Sequence, residues 1–156
     1  SANGRIAYNV PSSHQGLVFH NIALTFKDGK VIEVEADERE KVEAILDTDE
    51  GARYIGEFAI GVNPYLRHHM IDTLFDEKMA GSLHFTPGGT DSEGKTSTVH
   101  WDIVQSHLPP YSGGKIYLDG KLWRKDGLFV DKSLERLNPD TLQAILEETT
   151  EPAGWL

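Results

Sequence analysis

The sequence predicts an α+β fold, mostly antiparallel, in which a curled sheet or partial barrel is flanked by helices. Three observations predict it. Apolar and polar residues alternate with a period of two from Ile22 to Glu35. Asp-Gly turn signals recur at Asp28-Gly29, Asp119-Gly120 and Asp126-Gly127. Two apolar stripes at helical spacing, Val42-Ile45-Leu46 and Leu142-Ile145-Leu146, each follow a residue suited to cap a helix.

Residues 5–36 read as strands. A two-residue turn at Asp28-Gly29 sets Leu24 opposite Glu33, whereas a three-residue turn with Gly29 left-handed pairs Leu24 with Ile32 and Ile22 with Val34. The second register keeps one face apolar and is the one expected. Asp37 then opens a helix, with Glu40 three residues on as in a capping box. Residues 53–62 read as a strand ending in a loop at Asn63-Pro64, and Leu74 to Ala80 as a short helix. His84 falls on a short apolar stretch after Gly81. Pro87, Gly88, Gly89 and Gly94 make Thr86 to Lys95 a loop. Val99 to Val104 is another strand. Gly114 to Asp131 is a meander, with Trp123 expected opposite Phe129. Asn138 caps a last helix that has Pro139 at its first position.

Composition narrows the function. A chain of 156 residues suits one domain with a real core. It carries 25 acidic against 15 basic side chains, a net charge of −10, which argues against a nucleic-acid partner. No apolar run approaches the length needed to cross a bilayer, and residues 1–5 lack the apolar stretch of a signal peptide. A cytoplasmic location without a membrane partner is expected. There are no cysteines, so a metal would be held by His, Asp, Glu, Tyr or carbonyl oxygen. The sequence begins Ser1-Ala2 without an initiator methionine, as expected for an excised piece of a longer protein.

Four residues are candidates for chemistry. His100 and Asp102 flank Trp101, and on a strand residues two apart share a face, so an imidazole and a carboxylate project together while Trp101 packs behind. A plain His–Asp hydrogen bond at a sheet surface fits the same spacing. Glu57 follows Gly56 inside an apolar run, where a buried carboxylate needs a cation or donors, and an edge strand facing solvent is the alternative. His84 precedes the glycine-rich stretch. Asp76 is a candidate orienter or a helix-terminal charge. His68 and His69 are adjacent and read as surface or loop; His14, His20 and His107 have no partner spacing. Neither a nucleophile elbow nor a phosphate-binding glycine pattern occurs.

Taken in order, these segments resemble one family. The entry strands Gly16-Leu17-Val18 through Leu24 to Lys30, the pair Gly56-Glu57, Leu74-Phe75-Asp76-Glu77-Lys78 followed by His84, and His100-Trp101-Asp102 are similar to segments of the thermophilic aminopeptidases, a metallopeptidase family of the aminopeptidase T and S type. The match runs over roughly residues 16–130. The resemblance implies a metal-dependent aminopeptidase with two divalent ions (zinc, cobalt or magnesium), a peptide substrate and a homodimer. It implies Glu57, His84, His100 and Asp102 as metal ligands, and Glu57 also as the catalytic proton shuttle. In such a site the metals polarise the scissile carbonyl and activate a water.

It further implies a Glu ligand upstream of the strand near Arg5, and a Tyr several residues after His84. Neither has a counterpart here, although Tyr65 or Tyr111 can substitute in space. The chain is therefore expected to be a single-domain C-terminal portion, residues 1–156, of a longer aminopeptidase, with little activity alone. Two other readings stay open: a non-catalytic metal-binding or dimerisation domain on the same scaffold, and an acidic interaction module without metal.

Overall fold

The computed structural model describes residues 2–90 and 94–149. Its first third holds β1 (Gly4–Ala7), the short hairpin β2 (Ser12–His14) and β3 (Leu17–Phe19), then β4 (Ala23–Lys27) and β5 (Lys30–Glu35). β4 is central between β1 and β5, all antiparallel. The turn uses two residues, Asp28 and Gly29, both left-handed at φ 50° and 83°, as a type I′ hairpin requires. The expected pairing of Leu24 with Ile32 is therefore corrected: a bulge after Thr25 pairs Leu24 with Val34 and Phe26 with Val31. The bulge recovers the single apolar face that a plain two-residue turn would lose, and Ile32 is left 56% exposed.

The helix α1 (Arg39–Leu46) follows, burying Val42 and Leu46 as expected, with Ile45 partly buried. Asp37 does not cap it. Glu38 occupies the N-cap without a side-chain bond, and both Asp37 carboxylate oxygens accept from the Asn21 amide instead. A side chain with a stronger tertiary partner is lost to the capping box.

Next come β6 (Ile55–Ile60), the single-turn α2 (Thr73–Asp76), β7 (Ser82–Thr90), β8 (Thr96–His100) and β9 (Val104–Ser106). α2 is shorter than the stretch expected from Leu74 to Ala80. β7 is the organising strand. Along one edge it pairs with β6; along the other it pairs first with β9 and then with β8. The loop expected from Thr86 is thus strand as far as Thr90, and residues 91–93 lie outside the described part. Pro87, Gly88 and Gly89 stay in the sheet because neighbours grip the backbone: Gly88 donates to the Tyr54 carbonyl at 2.7 Å and Pro87 accepts from Trp101 at 3.2 Å. The strand expected from Val99 to Val104 is likewise interrupted, since Trp101–Ile103 leaves the ladder between β8 and β9.

The meander β10 (Lys115–Leu118), β11 (Lys121–Lys125) and β12 (Leu128–Phe129) leads to α3 (Pro139–Thr149). Its second turn has two residues, so Arg124, not Trp123, lies opposite Phe129, yet the Trp123 and Phe129 rings still meet edge to face at 5.2 Å. Arg124 is 1% exposed. It donates to the carbonyls of Gly127, Ser82 and Gly61 at 3.0, 2.7 and 3.2 Å, and stacks on Phe129. This one side chain fastens the meander to β6 and β7. Asn138 accepts the first helical bond, from Leu142, through its backbone carbonyl, while its side chain brackets the N–H and C=O of Phe129.

The main core gathers Phe19, Leu24, Phe26, Val31, Val34, Val42, Leu46, Trp101 and Ile103 between the first sheet, α1 and the β8–β9 link. No helix among the described residues is long and apolar enough to cross a membrane. The α+β, mostly antiparallel fold class holds.

Arg124→Met should lower the unfolding free energy by about 3 kcal/mol in urea titration, because three buried carbonyls lose a charged donor. Asp49, in the turn after α1, accepts from Thr98 N–H and Oγ1 at 2.8 and 2.9 Å and from Gly51 N–H at 3.1 Å. A bond from the Ser97 side chain, with those from Thr98, holds its carboxyl down at about 2, below the ordinary 3.8. A depressed acid stabilises above its unfolded pKa and loses that contribution as pH falls through its folded one. The melting-temperature gap between the native chain and Asp49→Asn should therefore be full above pH 3.8 and close as pH falls towards 2.

Candidate metal centre

On β7, His84 and Thr86 are two apart and share a face, and Glu57 of β6 pairs directly opposite Thr86. Gly56 lets the strands come this close: a Cβ there would lie 1.9 Å from the Gly88 carbonyl oxygen. From the other edge, β8 ends in His100, which pairs with Gly88. Gly89, left-handed at φ 78°, leaves room for the His100 ring, since a Cβ at that position would approach Nδ1 to 2.8 Å. Trp101 is 1% exposed and turns into the core, so His100 and Asp102 project together on the other side.

All four residues expected to bind metal therefore meet. Glu57 Oε1 lies 3.2 Å from His84 Nε2, and Glu57 Oε2 lies 3.4 Å from His100 Nε2. His100 Nε2 is 3.1 Å from Asp102 Oδ1. A fifth residue joins them. Glu77, just past α2, brings a carboxylate oxygen within 4.8 Å of Asp102 and is ion-paired with Lys78. Ligand atoms fall into two groups whose members lie within 4.8 Å of one another, Glu57-His100-Asp102 and Glu77-His84-Asp102, and Asp102 belongs to both. The five side chains border an open cavity of about 840 Å³.

Thr86, fully buried, donates to Asp102 Oδ1 at 2.7 Å. Burial pushes the Asp102 carboxyl up, but the bond from Thr86, with the Glu77 carboxyl and the His100 and His84 imidazoles nearby, outweighs it and holds the group below the ordinary aspartate range.

The donor set fits a divalent cation. Three carboxylates and two imidazoles are the N and O ligands that zinc and its neighbours accept. Carboxylate oxygens of Glu77 and Asp102 lie within 4.8 Å of each other, a like-charge pair that a cation between them would relieve. His84 Nδ1 is buried with no hydrogen-bond partner among the described residues.

The remaining acidic and imidazole candidates sit elsewhere. Asp76, 3% exposed, accepts from the N–H groups of Met70 and Asp72 and shapes the loop before α2 rather than orienting a ligand. His69 bonds the Tyr111 hydroxyl at 2.9 Å, so Tyr111 is engaged away from the five-residue cluster. His14 stacks on Trp101 at 4.8 Å, and His107 faces Gln105 at 2.9 Å. Tyr65 is 57% exposed and lines the same cavity.

The thermophilic metalloprotease family, M29, matches residues 1–108. The chain belongs to this family. Among M29 relatives it is 39% identical over 86 residues to aminopeptidase 2 of Geobacillus stearothermophilus, covering 52% of this chain and 21% of that one. It is 37% identical over 87 residues to aminopeptidase T of Thermus thermophilus, covering 53% and 21%. The solved structure of wild-type AmpT from Thermus thermophilus superposes with a TM-score of 0.59 at 26% identity, covering 82% of this chain and 36% of that one. The chain thus spans about a fifth of the length of these curated M29 relatives.

Sequence reasoning singled out Asp76 and passed over Glu77. The signal was available in principle. Asp72 caps α2, its Oδ1 accepting from Leu74 N–H, and a one-turn helix turns adjacent acids about 100° apart. Which of the two faces β7 depends on how α2 docks.

Thr86→Val should keep the fold and volume but remove the donor that orients Asp102. Zinc affinity of the M29 chain, measured by calorimetry, should fall roughly 10- to 100-fold, as outer partners of ligands typically cost.

Proposed function

We propose that the chain is the metal-holding portion of a longer cytoplasmic aminopeptidase, binding two divalent ions that share Asp102. The single observation that supports this most is the convergence of five donors from separate elements into two groups with one carboxylate in common. Glu57, His100 and Asp102 would hold one ion, and Glu77, His84 and Asp102 the other. The chemistry the ions supply when bound is polarisation of the scissile carbonyl and activation of a water.

The protein groups do the rest. Glu57, 42% exposed at its side chain, opens to the cavity and can exchange protons with a bound water. It takes the proton of the attacking water and delivers it to the departing amine nitrogen, so that the C–N bond breaks with a neutral amine as leaving group. Glu77 and Asp102, once charged, would hold the ions at the cavity wall, where a peptide's amino terminus and scissile carbonyl would face them. His84 is held by its strand and by burial, which limits reorganisation during the reaction. Aminopeptidase names among the relatives, which cover 52–53% of this chain, support the reaction class.

The expected further Glu ligand would come from the rest of the enzyme, and the 156-residue chain alone should release little or no N-terminal residue. In the longer enzyme loaded with zinc or cobalt, Glu57→Gln should lower kcat for aminoacyl substrates roughly 100-fold or more while keeping a folded chain. His100→Ala should lose metal on dialysis. A metal-loaded longer enzyme that releases no N-terminal residue would end the enzymatic reading.

A further inference from the structure

The cavity has two unlike walls. One carries the five donors. The other is apolar, built from Ile60, Val62, Tyr65, Leu74, Leu142 and Leu146. Leu74 is 64% exposed and Tyr65 57% exposed, although both are large and lie beside a charged cluster. Apolar surface kept open next to convergent polar groups is the usual composition of a small-molecule or substrate pocket.

Two of those residues come from α3. The family match ends at residue 108, so α3 lies outside it. Leu142 and Leu146 are four apart and fall on one helix face. Separate contacts seat that face against the cavity. Arg67 pairs with Asp140 at 2.8 Å and donates to Gln143 Oε1 at 3.1 Å, while its Nε donates to the Pro64 carbonyl at 3.0 Å. One guanidinium thereby ties α3 to the loop that carries Tyr65. At the start of the helix, the Asn138 side chain is fixed on the Phe129 backbone. The helix is positioned from two sides.

We propose that α3 forms the wall of a subsite that receives a large apolar side chain on the N-terminal residue of a peptide. This rests on the aminopeptidase reading of the donor cluster. The unlike walls select the occupant. Glu57, Glu77 and Asp102 border the opposite wall, and Lys78, the basic residue lining the cavity, is already bound to Glu77 and to the Leu74 carbonyl. With those carboxylates taken up by metal, an occupant must offer an amino group and a carbonyl to the metal-holding wall and apolar area to the other. An N-terminal residue with a leucine-sized side chain does both. A charged side chain of either sign would lie against leucines.

The test uses the 156-residue chain with zinc, and titrates leucine hydroxamate and glycine hydroxamate by calorimetry. The two probes share the ammonium and the metal-binding head and differ only in the isobutyl group. Leucine hydroxamate should bind on the order of tenfold more tightly, the scale of discrimination apolar pockets reach. In Leu142→Ala/Leu146→Ala, which keeps good helix formers, that advantage should shrink towards parity with zinc affinity unchanged. Arg67→Ala, which keeps both leucines and frees the helix, should reduce it too. Equal binding of the probes, no binding of either, or an advantage that survives both variants would overturn the subsite while leaving zinc binding intact. A chain that takes up no zinc would instead overturn the metal reading on which the subsite depends.

Discussion

Trp101 is the fixed point from which the site is built. Its indole is 1% exposed, donates Nε1–H to Ser12 Oγ at 2.8 Å, and packs on Phe19 and His14 with centroids 5.1 and 4.8 Å away. Burying an indole removes enough apolar area from water to stabilise by about 4 to 6 kcal/mol. The half-exposed His100 pairs at the cavity surface are worth far less. The core therefore decides which way residue 101 points, and chain geometry then turns residues 100 and 102 to the cavity.

β7 does for the opposite side what Trp101 does for this one. Because β6, β8 and β9 all pair with it, His84, Thr86 and Glu57 share one face, and His100 arrives opposite Gly88. The result is costly by itself. Three carboxylates meet with Lys78 and two imidazoles as company, and partly desolvated acids repel one another unless protons or cations intervene. A fold that assembles such a cluster from three directions spends stability on it, which is the pattern expected of a functional site.

The later segments attach by different physics. Arg124 is buried and faces carbonyls, so the meander is bonded to the sheets by hydrogen bonds that cannot be lost without stranding three acceptors. α3 is held by the Arg67 bridge, whose Asp140 partner is 90% exposed, and by half-buried leucines. An exposed ion pair contributes little. The helix is thus the wall of the cavity whose position is least strongly determined, and the donor cluster the most strongly.

The sequence by itself determined the fold class and most element types, and it named four of the five side chains that meet at the cavity. For the fold the reason is local, since alternation, turn glycines and helical stripes are read within a few residues. Glu57, His84, His100 and Asp102 are each inconspicuous alone and stand out as a set only through the resemblance of their segments to the thermophilic aminopeptidases. The sequence did not determine the register of the first hairpin, the course of β7 through Pro87 and two glycines, or the choice of Glu77 over Asp76. The bulge after Thr25 exists because Phe26, Leu24, Val31 and Val34 must all reach one core. β7 persists because strands on both edges hold its backbone. Glu77 joins because α2 docks against a sheet far away in sequence. These are contacts between residues tens of positions apart, whose energies no local window contains, and only the tertiary structure decides among them.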